Sequence, residues 1–496
     1  MYFPNVIQRF LLSCIFAFCL APVSLAESFE FNDNCRKAYN AIVALHLAEG
    51  EQLLAQEQKK NPDNLITVYL ENYIDFLKIY TSDSRNLYNK LQGNKDLRIE
   101  MLKAGDSNSP WYLYTAAEVN IQWATMSIRF GDYLNAIVEI RKAYKFLEEN
   151  TQRFPQFKAN KKSLGVLYAL LGSVPDKYKW GVSLLGMQGN VGQGLNDLKE
   201  LIAYSKTNDY IFRDETVIMY SFLVFHLQND AEKAWQILKE NGFPGKDNLM
   251  NVFACAHIGV YGKHNDDALK VLESNSVSFG SFPLLTYLQG LATLNSLSTN
   301  ADAAFKKFLA EYKGENHIKS AWQKIAWSAL LRGDTADYRT NMARVLKTGT
   351  DLIEADKQAQ KEAESRQVPN TVLLKARLLF DGGYYEKAAI EMNRLNEKSF
   401  KTEESGTEYL YRFGRIYDAW GKPDIALTYY GKTIDKGKNL PRYFAANAAL
   451  ESARIYEERG DKEKAKSLYN LCLTFEDHEY KNGIDQKAKA GLNRLN

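Results

Sequence analysis

The sequence predicts an all-α fold, an α-α superhelix of stacked helix-turn-helix repeats, and three observations predict it. A small residue and an alanine recur twelve residues apart on either side of a glycine-marked turn: Ala376 and Ala388, Gly414 and Ala426, Ala453 and Ala465. The three alanines follow one another at intervals of 38 and then 39 residues, a period that belongs to helical arrays. Apolar residues recur at helical spacing, as in Tyr133, Ala136, Ile137, Ile140, Tyr144 and Leu147, while alternating strand patterns are nearly absent.

Along the chain, residues 1–26 stand apart. Arg9 is the one charged side chain ahead of the apolar run Phe10 to Leu20, and Ser24-Leu25-Ala26 supplies small residues after it. This predicts a secretory signal cleaved before Glu27, so the mature protein is expected to be exported, periplasmic or secreted. The run is short of the roughly 20 apolar residues that span a bilayer and is broken by Pro22. Lipid anchoring needs a cysteine just after the apolar run, and Cys14 and Cys19 lie inside it.

Residues 27–162 read as N-terminal helical repeats, with Ala124 and Ala136 flanking Gly131-Asp132. Residues 163–205 are glycine-rich and break the pattern. It resumes over 206–345, where Phe222 and Ala234 flank Asn229-Asp230, Ala256 and Ala268 flank Gly262, and Ala292 and Ala304 flank Ser298-Thr299-Asn300. Gly333-Asp334 marks one more turn. Residues 346–496 hold the clearest copies.

The physical reason is close approach. Antiparallel helices joined by a tight turn nest only where facing side chains are small, and Gly, Asn and Asp end the first helix because they tolerate a left-handed backbone. Large residues such as Tyr429, Tyr430, Leu468 and Tyr469 then fill the space around the small ones. Gly414, Tyr417, Ala426 and Tyr430 match four signature positions in one copy, and over about 370–475 the chain resembles the tetratricopeptide repeat family. That resemblance implies helix pairs stacked into a superhelix, with the first helix of each pair lining a concave wall.

The interrupting segment carries a second resemblance. It contains Leu164-Gly165-Val166-Leu167-Tyr168-Ala169-Leu170-Leu171, Val174-Pro175, Trp180, the run Gly181 to Asn190, and Gly194-Leu195. This is similar to the hallmark segment of the inclusion-body-clearance (tetratricopeptide repeat protein 39, mitochondrial outer-membrane) family, with Met187 in place of a phenylalanine and Asn190 in place of an aspartate. The resemblance implies adaptor-like proteins connected with lipid droplets and protein aggregates, intracellular and without enzymatic activity. From the residues themselves, two readings stand side by side. Gly186, Gly189, Gly192 and Gly194 permit turns and close helix contact while Trp180, Leu184 and Leu185 plug the core. Alternatively Trp180, Leu184, Leu185 and Met187 form an apolar loop that receives a lipid or a partner helix. A phosphate loop is excluded because no apolar strand precedes the glycines and no Gly-Lys-Ser/Thr follows.

Composition excludes several functions. The chain has 63 basic and 60 acidic residues, and removing Arg9 with the leader leaves 62 against 60, a balance of +2. Such a balance provides no electrostatic footprint for nucleic acid or an anionic membrane; peripheral lipid contact rests on the apolar segment alone. Cys35, Cys255 and Cys472 are distant and odd in number, so buried free thiols are expected, with one long-range bridge as the alternative. The six histidines form neither His-x-x-x-His nor His-Glu-x-x-His, so no metal or other cofactor is implied. Cys255 and His257, two apart on a helix, point to different faces. No nucleophile elbow or dinucleotide fingerprint occurs; the chain is expected not to be an enzyme.

Binding is better served. With Gly414 as the packed reference and 100° per residue, Leu410, Phe413 and Tyr417 define the core side. Arg415 falls nearly opposite, with Glu408 and Tyr411 near it. Arg377 and Arg454 are equivalent, so one arginine per repeat recurs on the first helices, a ladder suited to carboxylates of a protein or peptide partner. The competing reading uses Asp381, Asp418 and Glu458, three or four residues beyond each arginine, as intrahelical bridges worth a few tenths of a kcal/mol. The 30 tyrosines mostly hold packing positions, so core filling is preferred to a glycan platform. The expectation is an exported, non-catalytic scaffold that holds a protein or peptide on its concave surface. A lipid or apolar-ligand carrier using 163–205 is the alternative, and nothing in the sequence sets the oligomeric state.

Overall fold

The computed structural model describes residues 28–245, 247–396 and 399–495. The leader expected at residues 1–26, with Cys14 and Cys19, lies outside the described residues. Among those described, all regular structure is helical. In chain order the α-helices are α1 Asp33–Val43, α2 Leu47–Lys60, α3 Ile66–Ser82, α4 Arg85–Leu91, α5 Gly93–Lys103, α6 Pro110–Arg129, α7 Tyr133–Arg153, α8 Ala159–Gly172 and α9 Asp176–Leu184. Next come α10 Val191–Tyr204, α11 Arg213–Leu223, α12 Ala231–Glu240, α13 Leu249–Tyr261, α14 Asn265–Glu273, α15 Leu284–Asn295, α16 Ala301–Glu311, α17 Ile318–Leu331 and α18 Thr335–Val345. The last eight are α19 Glu354–Ser365, α20 Thr371–Asp381, α21 Tyr385–Met392, α22 Glu403–Ala419, α23 Pro423–Gly437, α24 Phe444–Glu458, α25 Lys462–Leu473 and α26 Lys481–Leu495. A π-turn, Val224–Gln228, continues α11, and a 3-10 helix occupies Ser276–Ser281. The chain forms two compact units. The first contains the described residues through Leu77 together with Lys90–Leu164, and the second contains Lys78–Asn89 and everything from Gly165 onward.

The turns follow local chemistry. The residue before the N-cap of each second helix is left-handed: Gly131 (φ 81°), Gly333 (86°), Gly383 (82°), Gly421 (71°), Gly460 (78°) and Asn229 (55°). Two positions depart from the expectation. Gly262 has φ −92°, and Lys263 after it takes φ 69°; Leu297 likewise takes φ 61°. Asp132, Asp230, Asp334 and Asp461 then accept hydrogen bonds from the main-chain N–H three residues on, capping the second helices.

The nesting alanines lie where the spacing places them. Ala388, Ala426, Ala465, Ala256, Ala268, Ala292 and Ala234 are fully buried, as are Ala124 and Ala136 to within 2%. Ala304 does not: it is only half-buried, and the close approach there is Gly290, whose missing Cβ leaves room for the Phe305 ring. Gly414 works the same way, since a Cβ there would sit 2.4 Å from Tyr430 Cδ1. Glycine therefore opens a slot for an aromatic knob rather than meeting another small residue. The apolar stripe of α7 also needs correction. Ala136, Tyr144 and Leu147 are buried, but Tyr133 and Ile137 face solvent at 62% and 43% exposure.

Buried carboxylates tie the first unit together. Glu57 on α2 accepts from the side-chain amides of Asn32 (2.6 Å), Asn34 (3.0 Å), Asn61 (2.8 Å) and Asn64 (3.0 Å). Burial alone raises its pKa, but the four donors overcome it and hold the carboxyl at about 2. Glu118 on α6 accepts from the fully buried Lys162 ammonium (3.1 Å) and from the Ser163 hydroxyl.

Cys35, Cys255 and Cys472 are free and buried, so the bridge alternative does not hold. Burial pushes each thiol up to about 12. Because the thiolate is the nucleophile, iodoacetamide at pH 8 is expected to leave these three unmodified in the native protein and to alkylate all three after unfolding. Peptide mass mapping reads the result, and rapid native alkylation of any of them would contradict the packing.

Candidate functional site

The second unit contains a groove built from three contiguous cavities of about 870, 620 and 260 Å³. Arg415 and Lys487 line both larger ones, Arg377 and Gln358 join the second to the third, and Lys263 joins the first to the third. More than half of the lining residues come from the first helices of successive pairs, α13, α15, α17, α20, α22 and α24, and α19 and α26 contribute others. Leu227, Gln228 and Asn229, at the end of the π-turn, also line the largest cavity.

All three arginines expected to form a ladder reach this groove, but they differ in what holds them. Arg454 is saturated. It grips Asp418 through Nη2 (2.8 and 2.6 Å), Glu451 through Nε (3.1 Å) and Glu458 through Nη1 (2.5 Å). The bridge expected between Arg415 and Asp418 is therefore replaced by one that crosses to the next repeat, and Tyr430 also donates to Asp418 at 3.2 Å. The Glu458 bridge is present. Arg377 sits 3.8 Å from Asp381, a long contact, and lies over the Trp327 ring. Arg415 has no carboxylate within 4 Å among the described residues; its guanidinium donates to Tyr411 Oη at 3.1 Å.

Tyr411 and Glu408 need correction as open-side residues. Tyr411 is 5% exposed, and its hydroxyl forms part of the groove floor, accepting from Asn447 at 2.7 Å. Glu408 is engaged by Arg412 through Nε (2.8 Å) and Nη2 (2.5 Å). Arg412 lines the groove beside it, and helical-wheel reasoning from Gly414 passed it over.

The core-plug reading of the glycine-rich segment fails for Trp180 and Leu184, which are 70% and 78% exposed. Leu185 is half-buried, and Met187 is the residue that enters the core at 3%. Four glycines explain the fold instead. A Cβ on Gly194 would meet the Gly165 carbonyl oxygen at 2.2 Å, and one on Gly189 would meet the Gly172 nitrogen at 2.4 Å. These contacts are between main-chain segments, and Trp180 on α9 takes no part in them.

Sequence reasoning also missed Lys263 and Lys324. Both line the smallest cavity, Lys263 over Phe380 and Lys324 over Trp327. For Lys263 a signal existed: it occupies the turn position that holds glycine in five other repeats. For Lys324 there was none, because its setting is made by α19 and α20. No cluster of three or more metal-ligating side chains occurs among the described residues, and none of the described helices is long and apolar enough to cross a membrane.

No family model matches the chain, and no curated protein matches it. Solved structures that align with it include the APC/C hetero-tetramer Cut9–Hcn1 at 11% identity and TM-score 0.25, covering 92% of this chain and 95% of that one. The TPR domain of P58(IPK) aligns at 16% identity and TM-score 0.21, covering 82% and 97%. Naa15/Naa10 bound to HypK-THB aligns at 17% identity and TM-score 0.23, covering 93% and 66%. At these scores no activity or partner is carried across, and what stands is the all-α helical-repeat fold that the described residues themselves display.

Proposed function

We propose that the protein is an exported, non-catalytic scaffold whose second unit holds a peptide segment of a protein partner in the groove. One observation carries this reading: Arg415 faces a continuous groove with donors to spare and no carboxylate within 4 Å among the described residues. A guanidinium with donors left over is a receptor for a carboxylate. Arg377 on α20, held by one long contact, supports it, whereas Arg454 belongs to the framework.

Joint replacement Arg415→Ala and Arg377→Ala is expected to reduce partner capture from native extract at least about tenfold, the equivalent of 1.4 kcal/mol, with helicity and melting temperature unchanged. Arg454→Ala is expected to lower the melting temperature instead. Unchanged capture by the double variant would remove the arginines from the site. Export is read from the leader, and an intact mass beginning at Glu27 is its test.

A second reading is favoured by the exposure of Trp180 and Leu184. Two large apolar side chains four residues apart on one short helix suit a lipid or apolar ligand. Lipid extraction and mass spectrometry of the purified protein separates this reading from the first.

A further inference from the structure

Four cations share two aromatic rings in the groove. Lys263 Nζ lies 3.9 Å from the centre of the Phe380 ring, and Arg415 Cζ lies 5.6 Å from the same ring. Lys324 Nζ lies 3.8 Å from the Trp327 ring, and Arg377 Cζ lies 5.0 Å from it. A π face attracts a cation, but two cations brought to one ring repel each other and lose water.

Nearby carboxylates offset this positive charge only in part. Asp418 is gripped by Arg454 and Glu408 by Arg412. Glu362 accepts from Gln323, Trp327 and Tyr338, and Asp356 accepts from the main-chain N–H groups of His317 and Ser320; both act on Lys324 through space without forming an ion pair with it among the described residues. Asp381, 3.8 Å from Arg377, is the one acid lining the smallest cavity, against Lys263, Lys324 and Arg377. With all three cations charged, that lining has an excess of two positive charges.

The backbone adds an independent observation. Lys263 holds φ 69° where Gly131, Gly333, Gly383, Gly421 and Gly460 stand in other repeats, a conformation costly for a long side chain. Neighbouring Gly383 could not bear a Cβ, which would lie 2.2 Å from the Lys263 carbonyl oxygen, so the main chain of this turn is closely held.

We propose that this part of the groove binds a doubly negative oxyanion, a compact dianionic group or a pair of peptide carboxylates, seated against Lys263, Lys324, Arg377 and Arg415. The proposal rests on the groove being the ligand site and names the chemistry of what enters it.

The direction of the proton follows from the surroundings. Burial, and then Arg377, lower the Lys324 ammonium to about 7, against Glu362, Asp381 and Asp356, which favour its charge. Burial, and then Arg415, lower Lys263 to about 8, against Asp381, Asp418 and Glu451. The other polar side chains lining the cavity are Tyr261 at the end of α13, Tyr287 and Asn295 on α15, Ser320 on α17 and Gln358 on α19; Lys324 also donates to Gln323, and Tyr385 lies 5.5 Å from Lys263. Both lysines are therefore partly uncharged when the groove is empty near pH 7.5. An anion favours their charged forms, so binding takes up protons and weakens as pH rises through 7 and then 8.

The test is calorimetry on the full chain with inorganic sulfate, which keeps its two charges throughout, and with a tetraglutamate peptide. Affinity for at least one probe is expected to fall about a hundredfold between pH 6.5 and 8.5, about 25-fold from Lys324 near 7 and about fourfold from Lys263 near 8 as each loses its proton. The heat at pH 7.5 is expected to depend on the ionisation enthalpy of the buffer. Lys324→Arg with Lys263→Arg is expected to keep binding and flatten the pH profile, which a merely structural role would not do. Sulfate binding identifies a compact dianion, and tetraglutamate binding without sulfate identifies spaced carboxylates. Binding of neither probe, or a pH slope that survives the double arginine variant, overturns the proposal. Loss of partner capture without anion binding leaves the scaffold reading standing; anion binding without capture of any protein leaves this one.

Discussion

Gly194→Ala is expected to destabilise the second unit by about 3 kcal/mol, the upper range for overpacking. The new methyl would lie 2.2 Å from the Gly165 carbonyl oxygen, 2.6 Å from the Ala169 nitrogen and 2.9 Å from the Ala169 Cβ. Two of these are main-chain atoms of α8, so no side-chain rotation relieves the clash. Either α8 and α10 separate, and Leu195 and Leu198 lose their seat in the core they share with Val217, Tyr220 and Trp235, or the residue is not tolerated. Gly181→Ala is the control: nothing lies within 4 Å of its Cβ position, it sits within α9, and alanine there is expected to gain a few tenths of a kcal/mol to about 1. Urea unfolding followed by circular dichroism reads both. Equal midpoints for the two variants would mean that the α8–α10 contact is looser than described.

Glu118→Ala is expected to cost the first unit a similar amount, about 3 kcal/mol, for a different reason. Lys162 is 0% exposed and Glu118 is 4% exposed; the alanine removes a carboxylate and leaves the ammonium in the interior near the Tyr114 ring. Removing one member of a buried pair is far more damaging than removing both. The double change Glu118→Leu and Lys162→Met is therefore expected to recover most of the loss, because two apolar side chains of similar volume need neither charge compensation nor hydration. A double-mutant cycle by thermal unfolding checks this. If the double variant is as unstable as Glu118→Ala, the cost comes from volume or from the Ser163 hydrogen bond rather than from charge.

The two expectations separate what was readable along the chain from what was not. Gly194 stood out as one of a cluster of glycines, and close contact was the bland reading of them; the structure supplies the partner, Gly165, 29 positions earlier. Trp180 reads as a plug because large apolar residues usually are, yet it stands 70% exposed on α9. The arginines were found by their spacing, but their roles were not. Arg454 could be told from Arg415 only once Asp418 was seen to cross 36 residues to reach it. Glu118 and Lys162, 44 apart, carried no local sign of pairing.

The sequence alone determined the helical class, the turns between paired helices and the alanines on which they nest. Those properties are local: helical spacing sorts apolar from polar side chains, and the left-handed turn before an aspartate N-cap needs only adjacent residues. Tertiary structure decided which arginine keeps donors to spare, that two lysines share rings with two arginines, and that Trp180 turns outward. Each depends on side chains brought together from different helix pairs. The superposition of successive repeats is set by a few degrees of packing angle, which no spacing along the chain encodes.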